Sequence, residues 1–253
     1  MTRAQVASII EAAAGPPGED EGFWHGDPDL NINGIVVAFM ATLEAIAATA
    51  KLKYNFLVVH EQLAYPYGAV TPEQLDWPVN RARLDALTAA GIGVYRAHGM
   101  LDKFCILDDF GKILNLPEAV VNEDFYRVYN VQATPVTQVV DRARQRLGLP
   151  HLRVTGAMDT MVRRLGLAWG GLGLSVNVAF LNAILAYGCD CLIAGETDEY
   201  AQRFCQDAGV VLIETGHASS EEPGLEHFAG WLGTQVEPAP VHFHRLSPAW
   251  NFV

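Results

Sequence analysis

Positive charge is scarce in this sequence: 17 Lys and Arg stand against 29 Asp and Glu, a net charge of −12 over 253 residues. A free-standing nucleic-acid binder needs a basic footprint to neutralise phosphates, so that class is excluded. The same deficit argues against strong attraction to anionic membranes or polyphosphates. Cysteine is sparse too. Cys105, Cys189, Cys191 and Cys205 are too few for a disulfide scaffold and fit a reducing, cytoplasmic setting. Only 18% of residues are charged while 50% are hydrophobic, which leaves too much apolar material for intrinsic disorder. The first 20 residues read as an amphipathic helix broken at Pro16-Pro17, without the continuous apolar core of a signal peptide.

Residues 165–189 carry no charge and are long enough on paper to span a bilayer. Their Gly166, Gly170, Gly171, Gly173, Asn177 and Asn182 instead predict a buried strand, a glycine turn and a buried helix. No membrane partner is expected. Elsewhere strands (34–39, 56–59, 92–95) alternate with helices (41–50, 81–90), and the rhythm resumes after a mixed middle holding a helix at 137–147. This alternation predicts an α/β protein of two similar lobes, with mainly parallel strands flanked by helices. The first lobe is placed at 1–110, a connecting segment at 111–155 and the second lobe at 156–253.

The halves echo each other. One strand leads to His60-Glu61 and the next to His98, with Asp102 four residues on. In the second half one strand leads to Gly195-Glu196 and the next to His217, with Glu221 four residues on. In open α/β sheets, ligands collect at the carboxyl ends of parallel strands, where these residues fall. Several carboxylates gathered there are costly unless compensated, and no run of Lys or Arg lies near these motifs. Divalent cations would compensate them directly. An imidazole–carboxylate shell suits Zn, Mn or Fe, two ions in all, and leaves no role for thiolates. Each residue also has a plain structural reading. His60 can cap a strand, Glu61 can be a solvated acid, Asp102 can be an N-cap, and Glu221 can favour a helix start.

Gly216-His217-Ala218-Ser219-Ser220-Glu221 resembles the G-H-x-x-S-E motif of the Nif-three-like di-metal family, whose members are often labelled GTP cyclohydrolase I type 2-like. Val94-Tyr95-Arg96-Ala97-His98-Gly99-Met100-Leu101-Asp102 resembles its V-Y-x-x-H-x-x-x-D segment. Leu57-Val58-Val59-His60 resembles the strand ending in its His-His pair, and Ala194-Gly195-Glu196 its T-G-E segment. The resemblance implies a Nif-three-like fold of two similar lobes, a dinuclear metal centre and a toroidal homohexamer. Carried over by position, it implies His60, Asp102, His217 and Glu221 as ligands, with His98 in the site. Two departures stand out. The second histidine of the pair is Glu61 here, which offers oxygen and favours Fe or Mn somewhat over Zn. The acid often found after the first strand has no counterpart in Ala38-Phe39-Met40-Ala41-Thr42.

The leading expectation is a metal-dependent hydrolase of a small heterocyclic or amide-like molecule, with His98 or Glu196 as proton shuttle and Glu61 as a further ligand. The alternatives are a non-haem iron redox enzyme and a non-catalytic metal-binding or interaction protein. Several smaller features read as structure. Gly170-Gly171-Leu172-Gly173 is a tight turn, Cys189-Asp190-Cys191 belongs to the core, and His242-Phe243-His244 to an edge strand. Aromatic residues in 61–67 and 248–253 are expected to help anchor a homo-oligomer.

Overall fold

The computed structural model describes residues 1–250, so Asn251, Phe252 and Val253 of the aromatic C-terminal stretch lie outside the described residues. The chain forms two compact units, Met1–Cys105 with Leu225–Ala249, and Ile106–Gly224. In chain order the first unit holds α1 (Arg3–Ala14), β1 (Gly22–His25), β2 (Ile35–Ala38), α2 (Leu43–Lys51), β3 (Phe56–Val59), α3 (Pro72–Leu75), α4 (Pro78–Ala90), β4 (Gly93–Arg96) and α5 (Gly99–Leu101). The second holds α6 (Leu107–Ile113), β5 (Val121–Glu123), β6 (Tyr126–Pro135), α7 (Val136–Leu147), β7 (Arg153–Thr155), β8 (Met161–Ala168), α8 (Val178–Leu185), β9 (Cys191–Ala194), α9 (Glu199–Asp207) and β10 (Val211–Glu214). Helix α10 (His217–Gln235) belongs to the second unit up to Gly224 and to the first from Leu225. Strand β11 (Val241–His244) then joins the first sheet.

The first sheet runs β1-β4-β3-β2-β11 and the second β5-β6-β8-β9-β10-β7. Within each lies the same unit. Strands β2, β3 and β4 are parallel, with β1 antiparallel against β4. Strands β8, β9 and β10 are likewise parallel, with β7 antiparallel against β10. The repeat seen in the sequence is therefore a repeat of topology. Every residue of β2, β3, β4 and β9 is buried, which is why these strands read as apolar runs rather than alternating ones.

The borders of the sheets are where the sequence was silent. Gly22-Phe23-Trp24-His25 is half-buried at every position, so it has no period and reads as loop, yet it pairs with β4. Strands β5 and β6 pair antiparallel beside β8 within the mixed middle segment. His242-Phe243-His244 does lie in an edge strand, parallel to β2. Residues 165–189 form strand, turn and helix as expected, and no helix among the described residues is long and apolar enough to cross a membrane.

Local signals explain the helix limits. Thr42 caps α2 by accepting from the Ala45 N–H (3.1 Å), and Asp198 caps α9 by accepting from the Ala201 N–H (3.0 Å). Helix α4 begins at Pro78 and stops at Gly91, whose φ of 65° closes the last turn. Helix α1 buries Arg3 with Val6, Ala7 and Ile10 on one face. The Arg3 guanidinium donates to the carbonyls of Asp27 (3.0 Å), Asn55 (2.6 Å) and Gly91 (2.8 Å), tying the helix to three loops. Arg3→Met keeps the stem but orphans these acceptors. It should cost about 3 kcal/mol, read as a lower midpoint in equilibrium urea unfolding.

Candidate functional site

In the first unit the carboxyl ends of β3 and β4 deliver His60-Glu61 and His98. His60 is fully buried, and its Nδ1 lies 3.1 Å from the Ala97 carbonyl oxygen. A carbonyl only accepts, so Nδ1 carries a proton and Nε2 is the nitrogen turned to the site. That Nε2 faces Asp102 Oδ1 at 3.6 Å. The His98 ring packs 4.8 Å from the His60 ring, with Nδ1 3.4 Å from Asp20 Oδ2 and Nε2 3.9 Å from Glu61 Oε1. Donor atoms of His60, His98 and Asp102 all lie within 4.8 Å of one another. Two ligands about 2.0–2.2 Å from a shared ion stand at most about 4.4 Å apart, so the His60–Asp102 separation fits an ion between them.

Asp102 opens a single wide turn, Asp102–Ile106, with i→i+5 geometry, a distortion common at functional sites. Glu21 Oε1 accepts from the backbone N–H groups of both His98 and Met100, a carboxylate cap on the start of α5 supplied from outside the helix. Neither Asp20 nor Glu21 was singled out from the sequence. They sit in a Gly-, Pro- and acid-rich stretch with no pattern, and only β1 pairing with β4 brings them to the histidines. Position 40, where the family's acid has no counterpart, holds a thioether against Arg83 Nη2 (3.7 Å) and Tyr65 Oη (3.9 Å).

In the second unit, His217 is the first residue of α10 and Glu221 lies one turn on. His217 stands between two carboxylates: Nδ1 is 3.0 Å from Glu196 Oε2 and Nε2 is 3.3 Å from Glu221 Oε1. Glu196 thus orients the ring, the usual carboxylate–histidine arrangement behind a metal ligand. Because α10 begins at His217, Glu221 falls beyond the first turn, which removes the helix-dipole reading of that acid. Ser220, the serine of the G-H-x-x-S-E motif, accepts from the Gly170 N–H and donates to the His217 carbonyl, both at 2.8 Å. It locks the turn after β8 onto the start of α10.

The glycine turn permits this approach. Gly170 has φ of 55°, and a Cβ there would stand 2.0 Å from Glu221 Oε1. A Cβ on Gly195 would stand 2.5 Å from the Gly170 backbone and from Ser220 Oγ. All four cysteines are buried, and burial pushes the Cys189 and Cys205 thiols up to about 11. The Cys189 and Cys205 thiols are therefore protonated at neutral pH. Imidazole and carboxylate groups with fixed tautomers suit Zn, Mn or Fe.

Fold and side chains define an α/β protein of two units that share a four-stranded repeat, each bringing imidazole and carboxylate groups to the carboxyl ends of its parallel strands. The chain belongs to the Duf34/NIF3 (NGG1p interacting factor 3) family, whose model matches residues 1–248. It is similar to a GTP cyclohydrolase 1 type 2 homolog of Clostridium perfringens, 23% identical over 237 residues that cover 87% of each chain. A protein of the same description from Pyrococcus horikoshii is 23% identical over 79% of this chain and 80% of that one. In fold the chain matches a Bacillus cereus protein related to NIF3, with a TM-score of 0.85 at 12% identity over 100% and 99% of the two chains. It also matches reduced HcgD of Methanocaldococcus jannaschii, with a TM-score of 0.76 at 22% identity over 96% and 97%.

Gly170→Ala should displace the Glu221 carboxylate and strain the turn, costing about 2 kcal/mol and lowering Tm by about 4–8 °C. Gly171→Ala is the control, since a Cβ there meets nothing nearer than 3.4 Å. Equal melting of the two variants in scanning calorimetry would dissociate Gly170 from the site.

Proposed function

We propose that this protein is a metal-dependent hydrolase of a small heterocyclic or amide-like molecule, working with two divalent ions. The observation that carries the reading is the His60 ring, whose Nδ1 is engaged by the Ala97 carbonyl and whose Nε2 faces Asp102 Oδ1 at 3.6 Å. His60, Glu61 and Asp102 of the first unit and His217 and Glu221 of the second are the ligands. Bound there, divalent ions supply Lewis acidity and lower the pKa of a water. The chain's own groups then manage the proton. His98, a quarter exposed, lies between half-exposed Asp20 and buried Glu61, so its Nε2 is placed to take a proton and its Nδ1 to pass one outward. Glu196 holds the proton on His217 Nδ1 and keeps Nε2 available for binding. A nucleoside triphosphate fits poorly, because it needs several Arg or Lys donors and the strand ends of the first unit offer Arg96, already committed to Asp20.

Oxygen donors dominate the ligand set, which favours Mn or Fe as well as Zn, and iron with a visible spectrum would turn the reading towards redox chemistry. Four buried cysteines fit a reducing cytoplasm. We further propose a closed homo-oligomer, a hexamer on the family resemblance. Tyr65 and Tyr67, 39% and 66% exposed, and Trp77, 41% exposed, are aromatic anchors suited to such an interface.

Metal analysis of protein purified without added metal tests the ligand set. His217→Ala or Glu221→Ala should cut bound metal severalfold while circular dichroism stays native, and full stoichiometry in His217→Ala would refute the assignment. Glu61→Gln should shift metal preference or lower turnover; unchanged values would make Glu61 a plain structural acid. Light scattering at micromolar concentration should give a multiple of the 27.6 kDa chain, and a monomer mass would remove the ring.

A further inference from the structure

The guanidinium of Arg96 sits at the end of β4, 1% exposed, with every neighbour identifiable. Nε donates to the His60 carbonyl (3.1 Å), and Nη1 donates to Asp20 at its carbonyl (3.1 Å) and Oδ2 (2.6 Å). The rings of Trp24 and Tyr67 each lie 5.8 Å from the guanidinium carbon. Nη2 remains. It makes no hydrogen bond among the described residues, and its charged neighbour is Glu61, with Oε2 at 3.8 Å. Oε2 also accepts from the Gln62 N–H at 3.3 Å, whereas Oε1 is turned to His98. A guanidinium keeps its charge at any working pH, so a permanent cation stands buried beside a carboxylate offered to a divalent ion.

We propose that Arg96 is a positioning residue that acts as a built-in counter-cation for Glu61, holding Oε2 so that only Oε1 is offered to a metal and weakening the hold of the Glu61 position on a divalent ion. Two effects compete. Preorganising the carboxylate strengthens binding, while a fixed positive charge one carboxylate away from an incoming dication weakens it. The second dominates, because both charges are buried, where screening by water and salt is least. The fixed cation also compensates the buried Glu61 side chain, so the first unit can fold without the ion. At the equivalent end of β10 stands Glu214, which pairs with Arg153 of β7. The second unit thus has an acid where the first has Arg96, and the proposed charge device belongs to one repeat alone.

This rests on the metal reading above, and the test separates the two. Zn2+ affinity and stoichiometry are measured by chelator competition on the metal-stripped full chain, for wild type, Arg96→Met and the double variant E61Q/R96M. Arg96→Met should tighten the weakest site at least tenfold, and E61Q/R96M should lose that gain. If Arg96→Met folds only with Zn2+ present while the double variant folds without it, the ion has taken over the charge and the proposal stands. An unchanged or weaker site in folded Arg96→Met overturns it, as does a gain that survives in the double variant. If neither variant folds even with Zn2+, Arg96 acts through its hydrogen bonds to His60 and Asp20, and the proposal falls. A wild-type chain that binds no Zn2+, Mn2+ or Fe2+ at all sinks the metal reading and this inference together.

Discussion

A carboxyl group tolerates burial only with compensation, and the first unit buries two, Glu61 at 4% and Asp102 at 7% exposure. The second unit buries Glu221 at 3%. Much of the surrounding construction answers that constraint. Asp102 faces His60, whose ring is fixed by the Ala97 carbonyl, and Glu61 has Arg96 and the Gln62 N–H on one side and His98 on the other. Glu221 faces His217, whose other nitrogen is fixed by Glu196. Each of the three carboxylates has an imidazole or guanidinium nitrogen within 3.8 Å, and His60 and His217 each present one nitrogen with the second already engaged.

Topological duplication supplies two frames for these groups without making them identical. The segment β3 to β4 and the segment β9 to β10 place residues at matching strand ends, and the backbone N–H groups of Ala97 and Thr215 close onto Val59 and Ala194 in the same way (2.8 and 2.9 Å). Yet the first frame follows its strand with His60-Glu61 and the second with Gly195-Glu196. Gly195 is small because the Gly170 turn and Ser220 press against it. His60, at the matching place, carries a ring that packs 4.8 Å from that of His98. Side-chain chemistry has diverged where the backbone has not.

The four-residue echo was legible because a helix returns to the same face after four residues, so His217 and Glu221 meet with no help from distant chain. The strands carrying His60, His98 and Glu196 were legible as apolar runs, since strands buried on both faces need no alternation. The glycine turn after β8 was legible from its composition, and the reason for it, a Glu221 oxygen where a Cβ would stand, was not. Asp20, Glu21 and the β1 strand beside them carried no local signal.

By itself, then, the sequence determined the α/β class, the repeat, the core place of Cys189 and Cys191 and which imidazoles and carboxylates stand at the strand ends, because each follows from local periodicity or composition. Tertiary structure decided what those donors face. Pairing of β1 with β4 brings Asp20 to Arg96 and His98 across 76 and 78 residues of chain, a contact no spacing rule anticipates. It also decided which nitrogen of each histidine is engaged, since that depends on a carbonyl 37 residues from His60 and a carboxylate 21 residues from His217. Strand β11 likewise joins β2 rather than the sheet nearer in sequence, because four apolar and imidazole residues specify an edge strand but not the edge they complete.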